Sequence, residues 1–274
     1  PTMANVVDLG GASAAGMVWR AAAAIEAGMC ETVLCVLANT READPPRAKN
    51  RNPIREFDVP FGASGANAAY ALIKQAHMST FGSKDADFAA IAAAARQNAQ
   101  NNPDAIFHGK PASEADVLNS AMIASPLHLL EIVMPVAGGC ALIVSTLERA
   151  AHSGRTPVVL LGAGEKITHR AMSQAPALTS GPLKQAMALA FAQSGTSANQ
   201  MDLLSLYDCY SIMVAVTLED AGLCPPGQFG RWVRDHGLDH LGDFPLNTHG
   251  GQLGFGQADL AVVLRPRNRA ADRL

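Results

Sequence analysis

The chain carries a turn that could activate a nucleophile, but the turn lacks the residue that would normally serve as one. Gly10-Gly11-Ala12-Ser13 separates a predicted strand over Met3 to Leu9 from a predicted Ala-rich helix over Ala14 to Gly28. Backbone N–H groups and the macrodipole at a helix start favour negative charge, so a thiolate there would be activated. The turn offers Gly11 instead of a cysteine, and Ser13 supplies its only side-chain oxygen.

Ser13 suggests one alternative, a serine hydrolase. Gly11-Ala12-Ser13-Ala14-Ala15 lies between strand and helix, as a nucleophile elbow does, and Ser13, Asp208 and His249 follow the chain order of a hydrolase triad. The second glycine of the elbow is absent, and too few strands precede it. No Lys-Ser or Lys-Thr follows the glycine-rich turn, which excludes a P-loop.

Metal binding and disulfide formation receive little support from the sequence. His236 and His240 have a spacing compatible with a metal, but Gly237 interrupts the helix there and no third ligand is evident, so we predict no metal site. The five cysteines are scattered in apolar runs without a CxxC pair, which is typical of reduced core thiols and predicts a cytoplasmic location.

Composition narrows the class of protein further. The 274 residues are 49% hydrophobic, with few aromatics and a net charge of −3 whose signs are interspersed, so we expect no nucleic-acid partner. No apolar run is long enough to span a bilayer and no signal peptide opens the chain, which predicts a protein without a membrane partner.

The elements that position the turn alternate between strand and helix, which predicts an α/β fold with a largely parallel sheet. The predicted strands after the first are 31–38, 139–144, 157–162, 203–206 and 258–264, and the predicted helices after the first are 63–81, 84–100, 182–194 and 209–222, with a capping box at Ser113. A polar stretch from Thr40 to Pro60 reads as a surface excursion. The region from about Pro45 to Pro126 is then a helical insertion between strands.

Five segments in chain order resemble motifs of the thiolase superfamily, specifically the sterol-carrier-protein type of thiolase. They are the turn Gly11-Ala12-Ser13, Asn98 to Ala105, Ala137 to Ala141, Leu206-Tyr207-Asp208-Cys209-Tyr210-Ser211, and Asn247-Thr248-His249-Gly250-Gly251 through Gly256-Gln257. The resemblance implies a thiolase-like fold of two βαβ-type domains with stacked sheets and helices, plus a helical loop domain, truncated here at both ends. It places the N-terminal domain at 1–45 and 127–155, the loop domain at 46–126, and the C-terminal domain at 156–274.

The resemblance also implies acyl-CoA thioester substrates, with coenzyme A as part of the substrate and no bound cofactor, and a homodimer. Three family positions are changed: Gly11 stands where the family has its acyl-accepting cysteine, Tyr207 where it has one histidine, and Gln257 where it has another. Without the thiol, an acyl-enzyme cannot form at that position. The sequence resembles the cysteine-less aldolase-like branch, which cleaves steroid side-chain CoA esters beside a zinc-ribbon/OB-fold partner.

A retro-aldol cleavage needs a base for the hydroxyl proton and donors for the thioester enolate, but no nucleophile. We therefore hypothesise that Tyr207 is the acid or base and that Asp208 or His249 tunes or relays its proton. Backbone N–H groups at Gly250 and Gly251, with Gln257, would stabilise the enolate oxygen, beside Gly11 and Ser13 at the helix tip. A base role for the phenol requires a pKa about 2 units below its ordinary value of ~10.

Other interpretations of the same residues stay open. Tyr207 and Tyr210 are equally compatible with core packing, Asp208 with the N-cap of the following helix, and Gly250-Gly251 with a tight turn. At the level of function, the alternatives are a thiolase-type acyltransferase resembling acetyl-CoA acetyltransferase, a non-catalytic acyl-CoA or lipid binding protein, and the serine hydrolase.

Overall fold

The computed structural model of the chain describes residues 3–39, 58–63, 65–169 and 171–258. Its α-helices are α1 Ser13–Glu26, α2 Ala66–Phe81, α3 Asp85–Ala99, α4 Glu114–Asn119, α5 Leu147–Ala151, α6 Leu183–Ser194, α7 Ser211–Asp220, α8 Phe229–His236 and α9 Gly251–Phe255. Its strands are β1 Thr32–Asn39, β2 Met122–Ala124, β3 Leu127–His128 and β4 Gly138–Ser145.

The sheets of the described residues are two antiparallel pairs, so the predicted parallel arrangement is wrong for this part of the chain. β1 pairs with β4 along its whole length, from Thr32 opposite Ser145 to Asn39 opposite Gly138, and β2 forms a short pair with β3. The apolar pattern of β1 predicts burial on both faces, yet Leu34 is 64% exposed. The apolar composition predicted strand β1 correctly but could not specify the strand with which it pairs.

Several predicted strands do not form regular ladders. Residues 3–9 approach the turn as irregular chain, residues 157–162 run without ladder bonds and with exposed apolar side chains, and residues 203–206 contribute only a bridge between Leu204 and Leu246. Most of the predicted surface excursion at 40–60 and most of the predicted strand at 258–264 lie outside the described residues.

The predicted helices form close to their expected bounds. The predicted capping box of α4 is confirmed, because Ser113 accepts from the Asp116 N–H at 3.2 Å while Asp116 accepts from the Ser113 N–H at 2.8 Å. Among the described residues, no helix combines the length and the apolar character that crossing a bilayer would need.

Helix α3 is the centre of the core. Its Ala-rich face is small enough for α9 to lie directly against it, and a Cβ added at Gly254 of α9 would fall 3.0 Å from the carbonyl carbon of Ala95 and 3.0 Å from the Cβ of Ala99. Helices α7 and α8 pack on the same core, where Ile212, Leu218 and Phe229 are fully buried. This close packing holds α9 near the second half of α3.

A buried ion pair joins α2 to the start of α7. Lys74 Nζ lies 2.9 Å from Glu131 Oε2 and 2.8 Å from Asp85 Oδ1, and Ser211 Oγ donates to Glu131 Oε1 at 2.6 Å. Because Lys74 and Glu131 are removed from water, each requires its partners. The network fixes the first residue of α7, and therefore the segment immediately before it, relative to α2.

Candidate functional site

The structure brings Gly11 and Tyr207 into contact, although 196 positions separate them in the chain. A Cβ added at Gly11 would lie 2.7 Å from the Tyr207 hydroxyl oxygen and 2.7 Å from its Cε2, and closer still to Cζ. The phenol therefore occupies the space that a side chain at position 11 would need. A cysteine at position 11 and a phenol at position 207 cannot both be accommodated without a shift.

Gln257 approaches the same phenol from the last described segment. Its Nε2 donates to Tyr207 Oη at 3.3 Å, while its backbone N–H donates to the Met134 carbonyl at 2.8 Å and its carbonyl accepts from the Val136 N–H at 2.8 Å. The two backbone bonds fix the position from which the amide reaches Tyr207. Gly11, Tyr207 and Gln257 are thus brought together.

Burial raises the pKa of Tyr207, and the neighbouring Cys209 raises it further, whereas the hydrogen bond from Gln257 opposes the shift. The direction is opposite to the one that a base would require, so it favours the acid over the base in the hypothesis, and both roles of the phenol stay predictions. A neutral phenol in this place is a hydrogen-bond donor, and the acid half of the hypothesis stays a prediction.

The three tyrosines of the chain form one cluster around Cys209. Tyr70 of α2 stacks on Tyr210 with ring centroids 4.0 Å apart and planes 22° apart, and burial raises the pKa of all three phenols. Burial raises the pKa of the Cys209 thiol to about 12, so the thiol is neutral near pH 7. Tyr70 could not be identified from the sequence, because a single tyrosine on an Ala-rich helix carries no signal.

Asp208 is a positioning residue for α9 rather than the N-cap of α7. Its Oδ1 accepts from the Gln252 N–H at 2.7 Å and its Oδ2 from the Leu253 N–H at 3.3 Å, while α7 has Tyr210 at its N-cap without a side-chain bond. Burial raises the pKa of Asp208 to about 6, against the opposing effect of these N–H donors. The predicted N-cap of α7 is therefore wrong: the carboxylate caps a different helix, one that is remote in sequence.

Asn247 fixes the segment that carries Tyr207. Its Oδ1 accepts from the Leu206 N–H and its Nδ2 donates to the Leu206 carbonyl, both at 2.9 Å. It adopts a left-handed conformation with φ of 47°, which asparagine tolerates better than most residues. Asn247 lies in the last of the five motifs, but only the fold shows that its side-chain amide bonds to the Leu206 backbone as a neighbouring strand would.

Gly250 and Gly251 permit a close approach of backbone to carboxylate. Both have positive φ, of 113° and 59°, and a Cβ added at Gly251 would overlap Asp208. The Gly250 N–H donates to the Asn247 carbonyl at 2.8 Å, so the prediction that it stabilises an enolate oxygen is wrong. The corresponding role of the Gly251 N–H stays a prediction.

His249 is buried to a large extent and stands apart from the phenol cluster in its contacts. Its ring lies 5.9 Å from the Phe255 ring, and its carbonyl accepts from Asn102 Nδ2 at 3.0 Å. Burial lowers the pKa of the imidazole to about 4, so the ring is neutral at pH 7 and able to accept a proton. Its predicted relay role stays a prediction.

Ser13 is a structural residue of the turn. It is fully buried, its hydroxyl donates to the Gly10 carbonyl at 2.7 Å, and it accepts from the Leu9 N–H at 2.9 Å. A hydroxyl engaged in this way, beneath the helix start, has neither access to a substrate nor a base beside it. The prediction of Ser13 as a nucleophile or an oxyanion donor is therefore wrong.

A cavity of about 410 Å³ lies between α2, residues 171–182 and α7. Its wall is mainly apolar, with Ile73, Met172 and Met213 among the lining residues, and Tyr70 belongs to the same wall. A volume of this order and an apolar lining suit a small organic ligand. The ring of Tyr70 is therefore shared between the cavity and the tyrosine cluster.

The comparisons with known proteins point to one family. A family profile described as Thiolase C-terminal domain-like matches residues 164–265. The 17-hydroxy-3-oxo-4-pregnene-20-carboxyl-CoA lyase of Mycobacterium tuberculosis is 30% identical over 92% of this chain and 69% of its own length. The steroid side-chain-cleaving aldolase of Thermomonospora curvata is 31% identical over 90% of this chain and 67% of its own length.

Solved structures agree with these sequence matches. A structure described as Ltp2-ChsH2(DUF35) aldolase has a TM-score of 0.85 and 30% identity, and the match covers 91% of this chain and 66% of that one. A monomeric SCP2-thiolase like protein type 1 from Mycobacterium smegmatis has a TM-score of 0.68 at 21% identity, covering 92% of this chain and 51% of that one, which shows a shared fold.

Proposed function

Because the chain belongs to the thiolase-like family that contains the steroid side-chain-cleaving aldolases, we propose that it cleaves a β-hydroxyacyl-CoA by a retro-aldol reaction. The observation that supports this most directly is the packing of the Tyr207 phenol against Gly11. At the helix tip where a thiolase would carry its acyl group, this chain has a hydrogen-bond donor and no side chain to acylate.

The reaction requires proton transfer at two points. A base takes the proton of the β-hydroxyl as the Cα–Cβ bond breaks and the β-carbon becomes a carbonyl, and an acid returns a proton to Cα of the thioester enolate. No covalent bond to the protein forms. The substrate supplies coenzyme A, and no further bound cofactor is part of the proposal.

Tyr207 fits the donor in this scheme. Its neutral phenol, with Gln257 at 3.3 Å from its oxygen, donates a hydrogen bond to the oxygen on which charge develops. A neutral His249 is the group we propose for accepting the hydroxyl proton, since its imidazole is unprotonated above pH 4. Asp208 acts through the backbone of α9 and does not contact the substrate.

The cavity beside Tyr70 supports a bulky apolar acyl group. Its apolar wall and its volume of about 410 Å³ accommodate a fused-ring or branched hydrocarbon portion next to the phenol cluster. Related enzymes are named for steroid side chains, and we propose a substrate of that class for this chain.

A partner protein and a homodimer are part of the same proposal. The structure described as Ltp2-ChsH2(DUF35) aldolase supports a second protein as partner, for which we propose the zinc-ribbon/OB-fold type implied by the family resemblance, and the exposed apolar side chains of β1 and β4 supply a surface for self-association. We propose a cytoplasmic location from the cysteine pattern of the sequence.

A second candidate is a non-catalytic acyl-CoA binding protein. Gly11, Tyr207 and Gln257 stand where the family has catalytic residues. These three substitutions favour the second candidate if they abolished the thiolase reaction and no other reaction took its place. The thiolase-type acyltransferase is disfavoured, because position 11 carries no thiol and the phenol fills its place.

Tyr207→Phe separates catalysis from binding. We expect a β-hydroxyacyl-CoA with a bulky apolar β-substituent to be cleaved ~100- to 1,000-fold more slowly, the range typical for loss of a hydrogen-bond donor to a developing oxyanion. Affinity for the thioester, measured by calorimetry, should stay within about threefold, because the ring is retained. Unaltered turnover would refute the role of the phenol, and binding without turnover by the wild-type chain would favour the second candidate.

A further inference from the structure

The cavity of about 410 Å³ runs along one face of α7. Met213 and Val216 line it three residues apart, so they lie on the same side of the helix. At the start of α7, the N-cap residue Tyr210 stacks on Tyr70, which also lines the cavity. Because α7 has 10 residues, its other end lies about 15 Å away.

A polar group of defined orientation lies at that remote end of the cavity. Ser180 and Gly181 both line the cavity, and both bond to Asp220, the last residue of α7. The Ser180 hydroxyl donates to Asp220 Oδ1 at 2.6 Å, and the Gly181 N–H donates to Asp220 Oδ2 at 2.8 Å. Asp220 is only 9% exposed, whereas Ser180 is exposed. The buried carboxylate therefore fixes the direction of the Ser180 hydroxyl hydrogen.

This hydrogen bond decides what Ser180 can offer to a ligand. A carboxylate only accepts hydrogen bonds, so the single hydroxyl hydrogen of Ser180 is committed to Asp220. The Ser180 oxygen keeps lone pairs that can accept a hydrogen bond, but it has no second hydrogen to donate. A hydroxyl group of the ligand gains a hydrogen bond here, while a ketone oxygen in the same place meets only lone pairs.

We propose that Ser180 is a specificity-determining residue of the cavity and that Asp220 is its positioning residue. The preferred β-hydroxyacyl-CoA then carries a hydroxyl group at the far end of its bulky apolar acyl portion. The inference rests on the proposed function, because it requires the acyl group to lie along α7 with its reacting end near the tyrosines. It deepens that function by naming a substrate class, a hydroxylated fused-ring acyl thioester rather than the corresponding ketone.

The test compares two β-hydroxyacyl-CoA thioesters that share a fused-ring β-substituent and differ only in a hydroxyl or a ketone on its remote ring. For the wild-type chain, kcat/KM should be about 3- to 10-fold higher for the hydroxyl compound, the range that one hydrogen bond supplies. The difference should lie in KM, with kcat within about twofold, because the contact is remote from the bond that breaks. Equal constants, or a preference for the ketone, would overturn the proposal.

Two neighbouring hydroxyl residues provide a matched pair of variants. Ser180→Ala should bring the two substrates to within about twofold of each other. Thr179→Val should keep the wild-type preference, since Thr179 is not among the residues that line the described cavity. A preference that persists in Ser180→Ala would belong to another polar residue of the wall, Asp58 or His169, and would refute the role of Ser180.

Asp220→Asn supplies a readout that a purely structural contact at the start of α6 would not change. The Gly181 N–H still requires an acceptor, so the amide oxygen takes that place and the amide nitrogen turns toward Ser180. The nitrogen then donates to Ser180 Oγ, and the hydroxyl hydrogen becomes available to a ligand. The preference should shift toward the ketone, and an unchanged preference in the folded variant would contradict the positioning role of Asp220.

Calorimetry with the two matching thioesters that lack the β-hydroxyl separates this proposal from the proposed function. These compounds cannot undergo retro-aldol cleavage, so they report on binding alone. A chain that binds the compound with the remote hydroxyl about threefold or more tightly, but cleaves neither substrate, would refute the proposed function and support the specificity of Ser180. A chain that cleaves both substrates equally well would refute the specificity and retain the function.

Discussion

Restoring a side chain at Gly11 should destabilise the fold, and the Tyr207 ring should be the reason. A Cβ at position 11 would meet three atoms of that ring, two of them at 2.7 Å, whereas atoms in ordinary contact lie at 3.4 Å or beyond. The ring is partly buried and packs against the core, which limits how far it can move away from Gly11. We therefore expect Gly11→Ala to cost about 1–3 kcal/mol, the usual range for overpacking.

A double-mutant cycle isolates the contact. In a Tyr207→Ala background the obstacle is absent, and Gly11→Ala should change the free energy of unfolding by less than about 0.5 kcal/mol, which gives a coupling energy of about 1–3 kcal/mol. Urea unfolding, followed by tryptophan fluorescence, measures all four free energies.

Gly181→Ala is the control, since a Cβ there would lie 3.8 Å from its nearest neighbour, Asp220 Oδ2, and its cost should be independent of residue 207. Additive effects of Gly11→Ala and Tyr207→Ala would refute the claim that the phenol occupies the place of the missing side chain.

Two pH effects follow from the ionisable groups of the site. Burial raises the pKa of Tyr210 to about 12 and also raises the pKa values of Tyr70 and Tyr207. The unfolded state therefore loses its phenol protons first, and the free energy of unfolding should fall above pH ~10. Absorbance at 295 nm should show phenolate only as the chain unfolds, and a folded chain with phenolate near pH 10 would contradict this. Burial lowers the pKa of His249 to about 4, so the stability that its neutral ring contributes is fully present above pH ~6.5 and is lost as the pH falls toward 4. Between pH 7 and pH 4.5 the free energy of unfolding of His249→Asn should therefore fall by about 2 kcal/mol less than that of the wild type. Identical pH slopes in the two proteins would exclude the buried neutral imidazole.

The sequence predicted the thiolase-like α/β fold, and the structural neighbour with a TM-score of 0.85 confirms it. Helices were predicted well because their signals are local: the Ser113 capping box and the Ala-rich face of α3 act within a few residues. The partners of the strands were not predicted, since the antiparallel pairing of β1 with β4 joins segments about 100 residues apart. The apolar run at 157–162 satisfies the pattern of a strand but has no ladder.

The candidate site shows the same division between local and remote information. Motif order identified Tyr207 and Gln257, and the fold brings both to Gly11. The N-cap role of Asp208 at α7 and the nucleophile role of Ser13 were wrongly predicted, because the side-chain oxygens of both residues bond to backbone groups that spacing alone does not reveal. The predicted role of Asp208 in tuning or relaying a proton stays a prediction. Tyr70 lies on α2, and only the fold shows that it stacks on Tyr210 beside this site.

The direct test of the account is the stoichiometry of cleavage in the absence of free coenzyme A. The chain, incubated with a bulky β-hydroxyacyl-CoA, should yield one carbonyl product and one shorter acyl-CoA per substrate, while intact-protein mass spectrometry detects no acyl adduct. Cleavage that instead requires a β-ketoacyl-CoA and added coenzyme A, or an acylated protein, would contradict a retro-aldol reaction that uses the Tyr207 phenol and no thiol.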